Sequence, residues 1–330
     1  MPEPLTAETR VNGRLAPPRT ARIVGLGHKL PERVVSNGPI AERIGVDADW
    51  IVRRTGIRER RYAAPDERTC DLALASARRA LQDAGLRPSD VDLVLVATMT
   101  PDELTPNTAP LVADALGIGV GAFDVGAACT GWLSALSTGA ALVETGRSDT
   151  ALVIGAEVLS RVINPDDKRT ASLFGDGAGA VVLSAEGEGA IGPILLASDG
   201  SMCDTIVATH AERMLMMDGH TTFNKAVKVL ADSTRDACTS AGLGLDDIDL
   251  FVYHQANGRI LRTVAEKLEL PEERVADYVG ETGNTSAASI PLTLSLLRED
   301  GRLRPGQRLL LSAVGAGFTW GAGVVEWGVR

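Results

Sequence analysis

An internal repeat constrains the fold of this chain more than any other feature of its sequence. The segment Ala84-Gly-Leu-Arg-Pro-Ser-Asp-Val-Asp-Leu-Val-Leu-Val96 aligns with Ala241-Gly-Leu-Gly-Leu-Asp-Asp-Ile-Asp-Leu-Phe-Val-Tyr253. A second match follows in the same order, because Glu144-Thr-Gly-Arg147 corresponds to Glu299-Asp-Gly-Arg302. A recurrent helix, glycine and strand pattern in unrelated units is the alternative. Two matches in one order favour two homologous, duplicated halves.

Short apolar runs alternate with longer segments rich in Ala, Leu and Arg, which predicts an α/β fold. We divide the chain into a proline-rich, disordered N-terminal extension (1–20), a first half (21–186) and a second half (187–330). The runs that we interpret as strands are Val91–Ala97, Ala151–Gly155, Ala180–Leu183, Leu250–Tyr253 and Leu309–Ala313.

Composition narrows the class of protein. A chain of 330 residues with 45% hydrophobic and 23% charged residues is typical of a globular protein. No apolar run approaches the roughly 20 residues of a membrane span, and no signal-peptide pattern opens the chain, so we expect a cytoplasmic protein. A net charge of −10 argues against general nucleic-acid binding. The four cysteines lack metal-ligand spacing, so we expect free thiols and no metal site.

Cys129 is the strongest candidate nucleophile. It lies in Asp124-Val-Gly-Ala-Ala-Cys-Thr-Gly-Trp132, where a strand-like lead is followed by small residues and a helical run. A thiol at the start of a helix is expected to have a lowered pKa, because backbone N–H groups and the helix dipole favour the thiolate. The alternative is a small, buried apolar cysteine.

Two segments of the second half supply possible partners for this thiol. His254 follows the strand-like run Leu250–Tyr253, and the ends of such strands commonly open into ligand clefts. Asn284 follows Gly283 in a small, polar segment ahead of a helix. A structural histidine and a helix-capping asparagine are the alternatives. Together, Cys, His and Asn are the set needed to hold a thioester and stabilise an enolate.

Several blocks resemble the signature segments of β-ketoacyl-acyl-carrier-protein synthase III, a family of the thiolase superfamily. The resemblance runs from about Ile23 to the C-terminus. It implies a thiolase-like, five-layer αβαβα fold with two duplicated halves, and a homodimer. The blocks are Trp50-Ile-Val-Arg-Arg-Thr-Gly-Ile-Arg-Glu-Arg60, Ala-Ala-Cys129-Thr-Gly-Trp, Phe174-Gly-Asp-Gly-Ala-Gly-Ala180, His254-Gln-Ala-Asn-Gly-Arg-Ile260, Gly283-Asn-Thr-Ser-Ala-Ala288 and Gly315-Ala-Gly-Phe-Thr-Trp-Gly321.

The resemblance also implies catalytic roles. Cys129 would take an acyl group from an acyl-CoA, with the oxyanion held by the N–H groups of Cys129 and Ala316. A malonyl group on an acyl carrier protein would then lose carbon dioxide, and His254 and Asn284 would stabilise the enolate. The carbanion would attack the acyl-Cys129 carbonyl. Coenzyme A thioester is the substrate, and the implied chemistry needs no metal or redox cofactor.

Two binding surfaces follow from the same resemblance. Coenzyme A would be bound by an aromatic platform and nearby polar or cationic side chains, namely Trp50, Arg54, Lys168, Arg169 and Asn257. The acyl carrier protein would dock on a basic face formed by Arg259 and Arg262, with Lys225, Lys228 and Lys267 expected nearby.

The acyl pocket departs from the usual pattern of the family. Thr105, expected to reach across a dimer, and Val314 replace aromatic residues, which predicts a larger or branched acyl group. Trp132 replaces a Phe that is common in the family, and this larger side chain would instead favour a smaller acyl group. An acyltransferase that moves the acyl group from Cys129 to a hydroxyl without decarboxylation is the alternative function. The acyl starter, the extender and the pathway stay open.

Overall fold

The computed structural model describes residues 10–11, 14–15, 19–209, 211–212 and 214–329. The expected disordered extension, 1–20, therefore lies largely outside the described residues. Within it, the two-residue strands β1 (Arg10–Val11) and β2 (Arg14–Leu15) pair in an antiparallel manner.

The remaining elements alternate between strands and helices along the chain. The strands are β3 (Arg22–Lys29), β4 (Arg33–Ser36), β5 (Glu59–Tyr62), β6 (Leu93–Ala97), β7 (Gly121–Val125), β8 (Thr150–Glu157), β9 (Gly177–Ser184), β10 (Ala190–Ser198), β11 (Ile206–Ala208), β12 (Leu215–Met217), β13 (Leu250–Tyr253), β14 (Arg308–Gly315) and β15 (Thr319–Glu326). The α-helices are α1 (Asn37–Ile44), α2 (Ala48–Thr55), α3 (Thr69–Ala84), α4 (Thr108–Ala115), α5 (Gly131–Glu144), α6 (Gly219–Ser240), α7 (Gly258–Leu268), α8 (Val279–Thr282) and α9 (Ser289–Glu299).

Two sheets share one topology. The first has the strand order β3-β9-β8-β6-β7, and the second has the order β10-β15-β14-β13. In each sheet the first three strands pair antiparallel and the next pairs parallel. β6 and β13, where the two copies of the sequence repeat end, occupy the same place in their sheets. The repeat therefore corresponds to a repeat of structure.

Helices and sheets form five layers. α3 and α4 pack on the outer face of the first sheet, and α6 packs on the outer face of the second with α7 beside it. α5 and α9 lie between the two sheets. The largest apolar core fills this middle layer, and a further core lies under the outer helices on each side. The predicted αβαβα fold with duplicated halves is confirmed.

Two glycines let the two halves of the chain approach closely at the turns before α5 and α9. Gly155 on β8 faces the turn before α9, where an added Cβ would lie 2.3 Å from the Ala287 carbonyl oxygen. Gly315 at the end of β14 faces the turn before α5, where an added Cβ would lie 2.9 Å from the Cys129 nitrogen. Any side chain at either position would force the turn away. Each half therefore supports a turn of the other.

Candidate active site

Cys129 lies in a short 3-10 turn, Ala128–Thr130, that joins β7 to α5. Ala128 has a φ of 46°, an uncommon conformation for a residue with a side chain. Burial raises the pKa of the Cys129 thiol to about 12, and hydrogen bonding with the Ser286 hydroxyl opposes this rise only in part. The expected lowering of the Cys129 pKa is therefore wrong, because the effect of burial outweighs the hydrogen bonds that lower this pKa.

His254 follows β13 and is only 1% exposed. Its Nδ1 lies 2.6 Å from Ser289 Oγ, which also accepts a hydrogen bond from the Gln255 N–H at 3.4 Å. Ser289 Oγ has a second lone pair, so its hydroxyl can either donate to Nδ1 or accept from it. When Ser289 donates, the neutral ring carries its proton on Nε2. Burial lowers the pKa of His254 to about 3, so the ring is neutral near pH 7.

Asn284 is held by both its backbone and its side chain. Its N–H donates to the Leu173 carbonyl, and its own carbonyl accepts from the Gly175 N–H. The side-chain Oδ1 accepts from the Ser286 N–H at 2.9 Å, which fixes the orientation of the amide. The oxygen thus stabilises a local turn, but Asn284 is not the helix cap of the alternative interpretation, because the N-cap residues of the following 3-10 turn and of α9 are Thr285 and Ala288. The Nδ2 donor remains available to a bound molecule.

One cavity of about 420 Å³ brings most of the predicted site residues together. This volume is within the usual range for small-molecule sites. The predicted residues that line the cavity are Trp50, Arg54, Cys129, Lys168, Arg169, His254, Asn257, Arg259, Asn284, Val314 and Ala316. Much of the remaining wall is apolar and includes Met99, Phe174, Ile206, Leu215, Met217, Phe223 and Phe318.

The cavity wall includes an aromatic and cationic group on α2. Asp47 caps this helix by accepting a hydrogen bond from the Trp50 N–H at 2.6 Å. Trp50 and Arg54 are one helical turn apart, and the Arg54 guanidinium lies 5.8 Å from the Trp50 ring. Lys168 is exposed beside them, whereas Arg169 is ion-paired with Asp167 at 3.0 Å.

Asn257 lines the cavity, and its side chain also forms two hydrogen bonds within the protein. Its Oδ1 accepts a hydrogen bond from the Arg259 N–H at 2.8 Å and so caps α7. Its Nδ2 donates to the Arg54 carbonyl oxygen at 3.4 Å, which ties α7 to α2. The side chain therefore positions the two helices on which the predicted coenzyme A and carrier-protein residues lie.

Two predicted acyl-pocket residues lie away from the cavity. Trp132 is 1% exposed in the core between the sheets, where its Nε1 donates to the Val153 carbonyl oxygen at 3.3 Å. It is not among the described residues that line the cavity, and its expected place in the acyl pocket stays a prediction. Thr105 is exposed in the loop before α4. Its expected role across a dimer stays a prediction.

The basic face is narrower than the sequence predicted. The Arg259 guanidinium stacks over Phe223, 5.1 Å from the ring centre, and Arg262 is exposed one turn further along α7 without lining the cavity. Lys225 is ion-paired with Asp199, and Lys228 is ion-paired with Asp232. The cations that remain for an acidic partner are Arg259, Arg262 and Lys267.

Sequence reasoning missed three polar residues at this site: Glu157, Ser286 and Ser289. Glu157 closes β8 after an otherwise apolar run, and this acidic residue was the one available signal. Ser286 and Ser289 lie in the segment after Asn284, where hydroxyl side chains were visible but had no assigned partners.

Two further observations bear on the sequence-based expectations. Within the described residues, no group of His, Cys, Asp or Glu side chains could hold a metal ion. No helix in the described part of the chain is both long and apolar enough to cross a membrane.

Comparison with known proteins gives the family. Residues 123–200 match the family model described as 3-oxoacyl-[acyl-carrier-protein] synthase III, and residues 238–327 match its C-terminal counterpart. A β-ketoacyl-[acyl-carrier-protein] synthase III from Bordetella petrii is 48% identical over 316 residues, which cover 92% of this chain and 96% of that protein.

Solved structures agree. A 3-oxoacyl-[acyl-carrier-protein] synthase III from Aquifex aeolicus superposes with a TM-score of 0.91 at 37% identity, covering 93% of this chain and 100% of that one. The priming β-ketosynthase from the R1128 polyketide biosynthetic pathway has a TM-score of 0.91 at 36% identity, with 96% and 98% covered. The duplicated fold and the cavity that holds Cys129, His254 and Asn284 thus occur in a chain that belongs to the 3-oxoacyl-[acyl-carrier-protein] synthase III family.

Proposed function

We propose that this protein condenses an acyl-CoA starter with malonyl-acyl carrier protein, with loss of carbon dioxide, through an acyl-Cys129 intermediate. The product is a β-ketoacyl chain that starts a fatty acid or a polyketide. The observation that carries the proposal is a single cavity in which Cys129 meets two oriented donors, His254 and Asn284. The names of the relatives from Bordetella petrii and the R1128 pathway support it.

The first half-reaction acylates the enzyme. Cys129 Sγ attacks the thioester carbonyl, the developing oxyanion accepts hydrogen bonds from the N–H groups of Cys129 and Ala316, and coenzyme A leaves as its thiol. The loop that carries Ala316 begins at Gly315, which lies against the Cys129 backbone. Backbone donors fixed in this way stabilise the oxyanion without having to reorient.

The second half-reaction uses the two side-chain donors. The malonyl thioester oxygen accepts hydrogen bonds from His254 Nε2–H and Asn284 Nδ2–H, which stabilise the enolate as the carboxylate departs as carbon dioxide. The resulting carbanion attacks the acyl-Cys129 carbonyl, and the Cys129 sulfur leaves and regains a proton. A simple acyl transfer to a hydroxyl would need no such pair of donors, so the site favours condensation over that alternative.

Side chains at the entrance of the cavity suit the two proposed acyl carriers, coenzyme A and acyl carrier protein. Trp50, Arg54 and Lys168 offer an aromatic surface and cations for the nucleotide end of coenzyme A. Arg259 and Arg262 on α7 offer positive charge to an acidic carrier protein.

A homodimer completes the proposal. β7 is the edge strand of the first sheet, and its second edge has no strand partner among the described residues. Phe123 on β7 is 40% exposed, and Leu104 in the loop before α4 is 77% exposed. We propose that β7 pairs with β7 of a second copy, which buries Phe123 and brings the loop with Thr105 toward the partner's acyl pocket.

The direct test of this function is product formation. Acetyl-CoA, isobutyryl-CoA and octanoyl-CoA are each incubated with malonyl-acyl carrier protein, and β-ketoacyl-carrier protein and carbon dioxide are measured. At least one donor should give both products in equal amounts, and Cys129→Ala should give no condensation product. Consumption of acyl-CoA without carbon dioxide release, together with acyl transfer to an added alcohol, would favour the transferase alternative.

A further inference from the structure

A buried arginine lies beside the segment that carries Asn284. Arg60 on β5 is 0% exposed, and every hydrogen-bond acceptor of its guanidinium among the described residues is neutral. Its Nε has no hydrogen-bond partner in the described part of the chain. Burying a charge against neutral groups alone costs stability, and proteins keep such exceptions mainly at functional sites.

The guanidinium holds a short stretch of chain that lines the cavity. Arg60 Nη2 donates a hydrogen bond to the Ser172 carbonyl oxygen at 2.9 Å. The carbonyl of the next residue on β5, Arg61, accepts from the Asp176 N–H at 2.9 Å. Residues 172–174, between these two contacts, line the cavity. Both ends of this stretch are therefore bound by neighbouring residues of β5.

The same stretch binds the backbone of Asn284 on both sides. The Asn284 N–H donates to the Leu173 carbonyl at 2.9 Å, and the Asn284 carbonyl accepts from the Gly175 N–H at 3.0 Å. An added Cβ on Gly175 or on Gly283 would lie 3.0 Å from Arg60 Cβ, so the Arg60 side chain packs directly against this pairing. The position of Asn284 therefore depends on the stretch that Arg60 holds.

The other end of the guanidinium is anchored in the first half. Arg60 Nη1 donates to Asn37 Oδ1 at 2.7 Å, at the first residue of α1. Asn37 is 4% exposed, and its Nδ2 donates to the Ile57 carbonyl oxygen at 2.7 Å, which fixes the orientation of its amide. A planar guanidinium holds two such acceptors at a set angle, whereas the single ammonium group of a lysine does not.

We propose that Arg60 is a positioning residue for decarboxylation, which places Asn284 Nδ2 against the malonyl thioester by holding residues 172–175. The inference rests on the function proposed above and adds a residue to it. Arg60 is not among the described residues that line the cavity, so it acts through Asn284 and does not touch the substrate. Acylation of Cys129 makes no use of Asn284 and should not depend on this contact.

The test compares the two half-reactions in Arg60→Lys, which keeps the positive charge and loses the planar fork. Acyl-Cys129 is formed with saturating acyl-CoA and followed by intact mass, and malonyl-acyl carrier protein is then added while carbon dioxide is measured. Carbon dioxide release should slow by about 10- to 10²-fold, because a small displacement of a group that binds the reacting atoms is enough for such a loss. The maximum rate of acylation should change little, and equal losses in both half-reactions would overturn the proposal.

A double-variant cycle shows whether Arg60 acts through Asn284. Asn284→Ala removes the donor, so adding Arg60→Lys to it should slow carbon dioxide release no further. The same fold-loss with and without Asn284 would indicate a merely structural arginine and overturn the proposal.

Asp92→Ala is the matched control for loss of stability. Asp92 precedes β6, at the end of that strand away from the cavity, and accepts a hydrogen bond from the Asp149 N–H at 2.7 Å. This variant should unfold more easily and release carbon dioxide at the wild-type rate. A loss of release as large as that of Arg60→Lys would show that destabilisation alone is sufficient, and would overturn the proposal.

A second variant covers the case in which Arg60→Lys does not fold. Asn37→Ala removes the acceptor of Arg60 Nη1 and keeps the contact of Nη2 with Ser172. It should slow carbon dioxide release by a smaller factor, and again only while Asn284 is present. A loss that persists in the Asn284→Ala background would overturn the proposal.

A readout without turnover separates this inference from the proposed function. In protein that contains isotope-labelled asparagine, the side-chain amide resonance of Asn284 is identified by its absence from Asn284→Ala. This resonance should shift in Arg60→Lys and stay in place in Asp92→Ala, and an unchanged resonance in Arg60→Lys would overturn the inference. Wild-type acyl-Cys129 that releases no carbon dioxide would instead contradict the proposed function, and the resonance would still decide whether Arg60 positions Asn284.

Discussion

At the scale of residues, the proposed function depends on two donors, His254 and Asn284, each of which has one polar side-chain atom engaged by a neighbour. Ser289 engages His254 Nδ1, and the Ser286 N–H engages Asn284 Oδ1, which leaves Nε2 and Nδ2 for the substrate. Donors that are already oriented stabilise developing negative charge at little reorganisation cost. The neutral state of His254 matters as well, because a neutral ring can donate from Nε2 while its other nitrogen accepts.

The first prediction concerns His254. Replacing it with Ala should lower the rate of malonyl decarboxylation by about 10²–10³-fold, because one of the two donors to the enolate is lost. Acylation of Cys129, followed separately by intact mass, should change little. Since burial lowers the pKa of His254 to about 3, wild-type decarboxylation should show no titration near 6.5, the ordinary value for histidine. Equal loss of acylation and decarboxylation in the variant would contradict the assignment of His254 to decarboxylation alone.

The second prediction concerns the acyl pocket. Val314 lines the cavity, and Val314→Phe adds bulk there. The ratio of acylation rates for isobutyryl-CoA over acetyl-CoA should fall by about 10-fold. Trp132→Phe is the matched control, because Trp132 lies in the core between the sheets and should leave the ratio unchanged. A selectivity that responds to Trp132 and not to Val314 would reverse this assignment.

At the scale of elements, two turns determine the site. The turn before α5 carries Cys129, the turn before α9 follows Asn284, and each packs on a glycine of the other half. The corresponding positions of these turns would let a duplicated fold supply the proposed nucleophile from one half and its proposed partners from the other. The geometry of the site therefore depends on contacts between halves.

The third prediction tests one of these contacts. Gly155→Ala should destabilise the protein by about 1–3 kcal/mol and impair condensation, because the new Cβ would overlap the Ala287 carbonyl. Gly119→Ala is the matched control, since an added Cβ meets no atom within 4 Å there. Chemical unfolding and turnover are measured for both. Similar free energies of unfolding for the two variants would show that the turn before α9 can move to accommodate the new Cβ without destabilising the protein.

Sequence was sufficient wherever the signal was local. The repeat predicted that β6 and β13 are equivalent, and the resemblance to a known family predicted most of the site residues that line the cavity. The predicted pKa of Cys129 was wrong because it depends on burial, which segments distant in the chain create. Glu157 was missed for the same reason, since its partners come from the segment after β6 and from the turn before α9.

At the scale of the whole molecule, the first sheet ends in the edge strand β7, which we propose pairs with β7 of a second copy of the chain. β7 presents Phe123 beside an edge that has no strand partner among the described residues, and the loop before α4 presents Leu104. An isologous pairing of β7 strands would satisfy the backbone groups of both edges and cover both side chains.

The fourth prediction is that the protein sediments at twice the 34.6 kDa mass of its chain. Phe123→Glu should shift the protein toward monomer, because it places like charges at the two-fold interface. Val34→Glu is the control, since Val34 is 49% exposed on the separate β4–β5 pair. A wild-type monomer, or a dimer equally stable in Phe123→Glu, would contradict pairing through β7.

The most direct test of the account is a two-step mass measurement on Cys129. The protein is first incubated with single acyl-CoAs, and its intact mass should rise by one acyl group that maps to Cys129 and is absent from Cys129→Ala. Malonyl-acyl carrier protein is then added, and the mass should return to that of the free enzyme as β-ketoacyl-carrier protein and carbon dioxide form. A stable acyl-Cys129 that malonyl-acyl carrier protein does not discharge would contradict condensation.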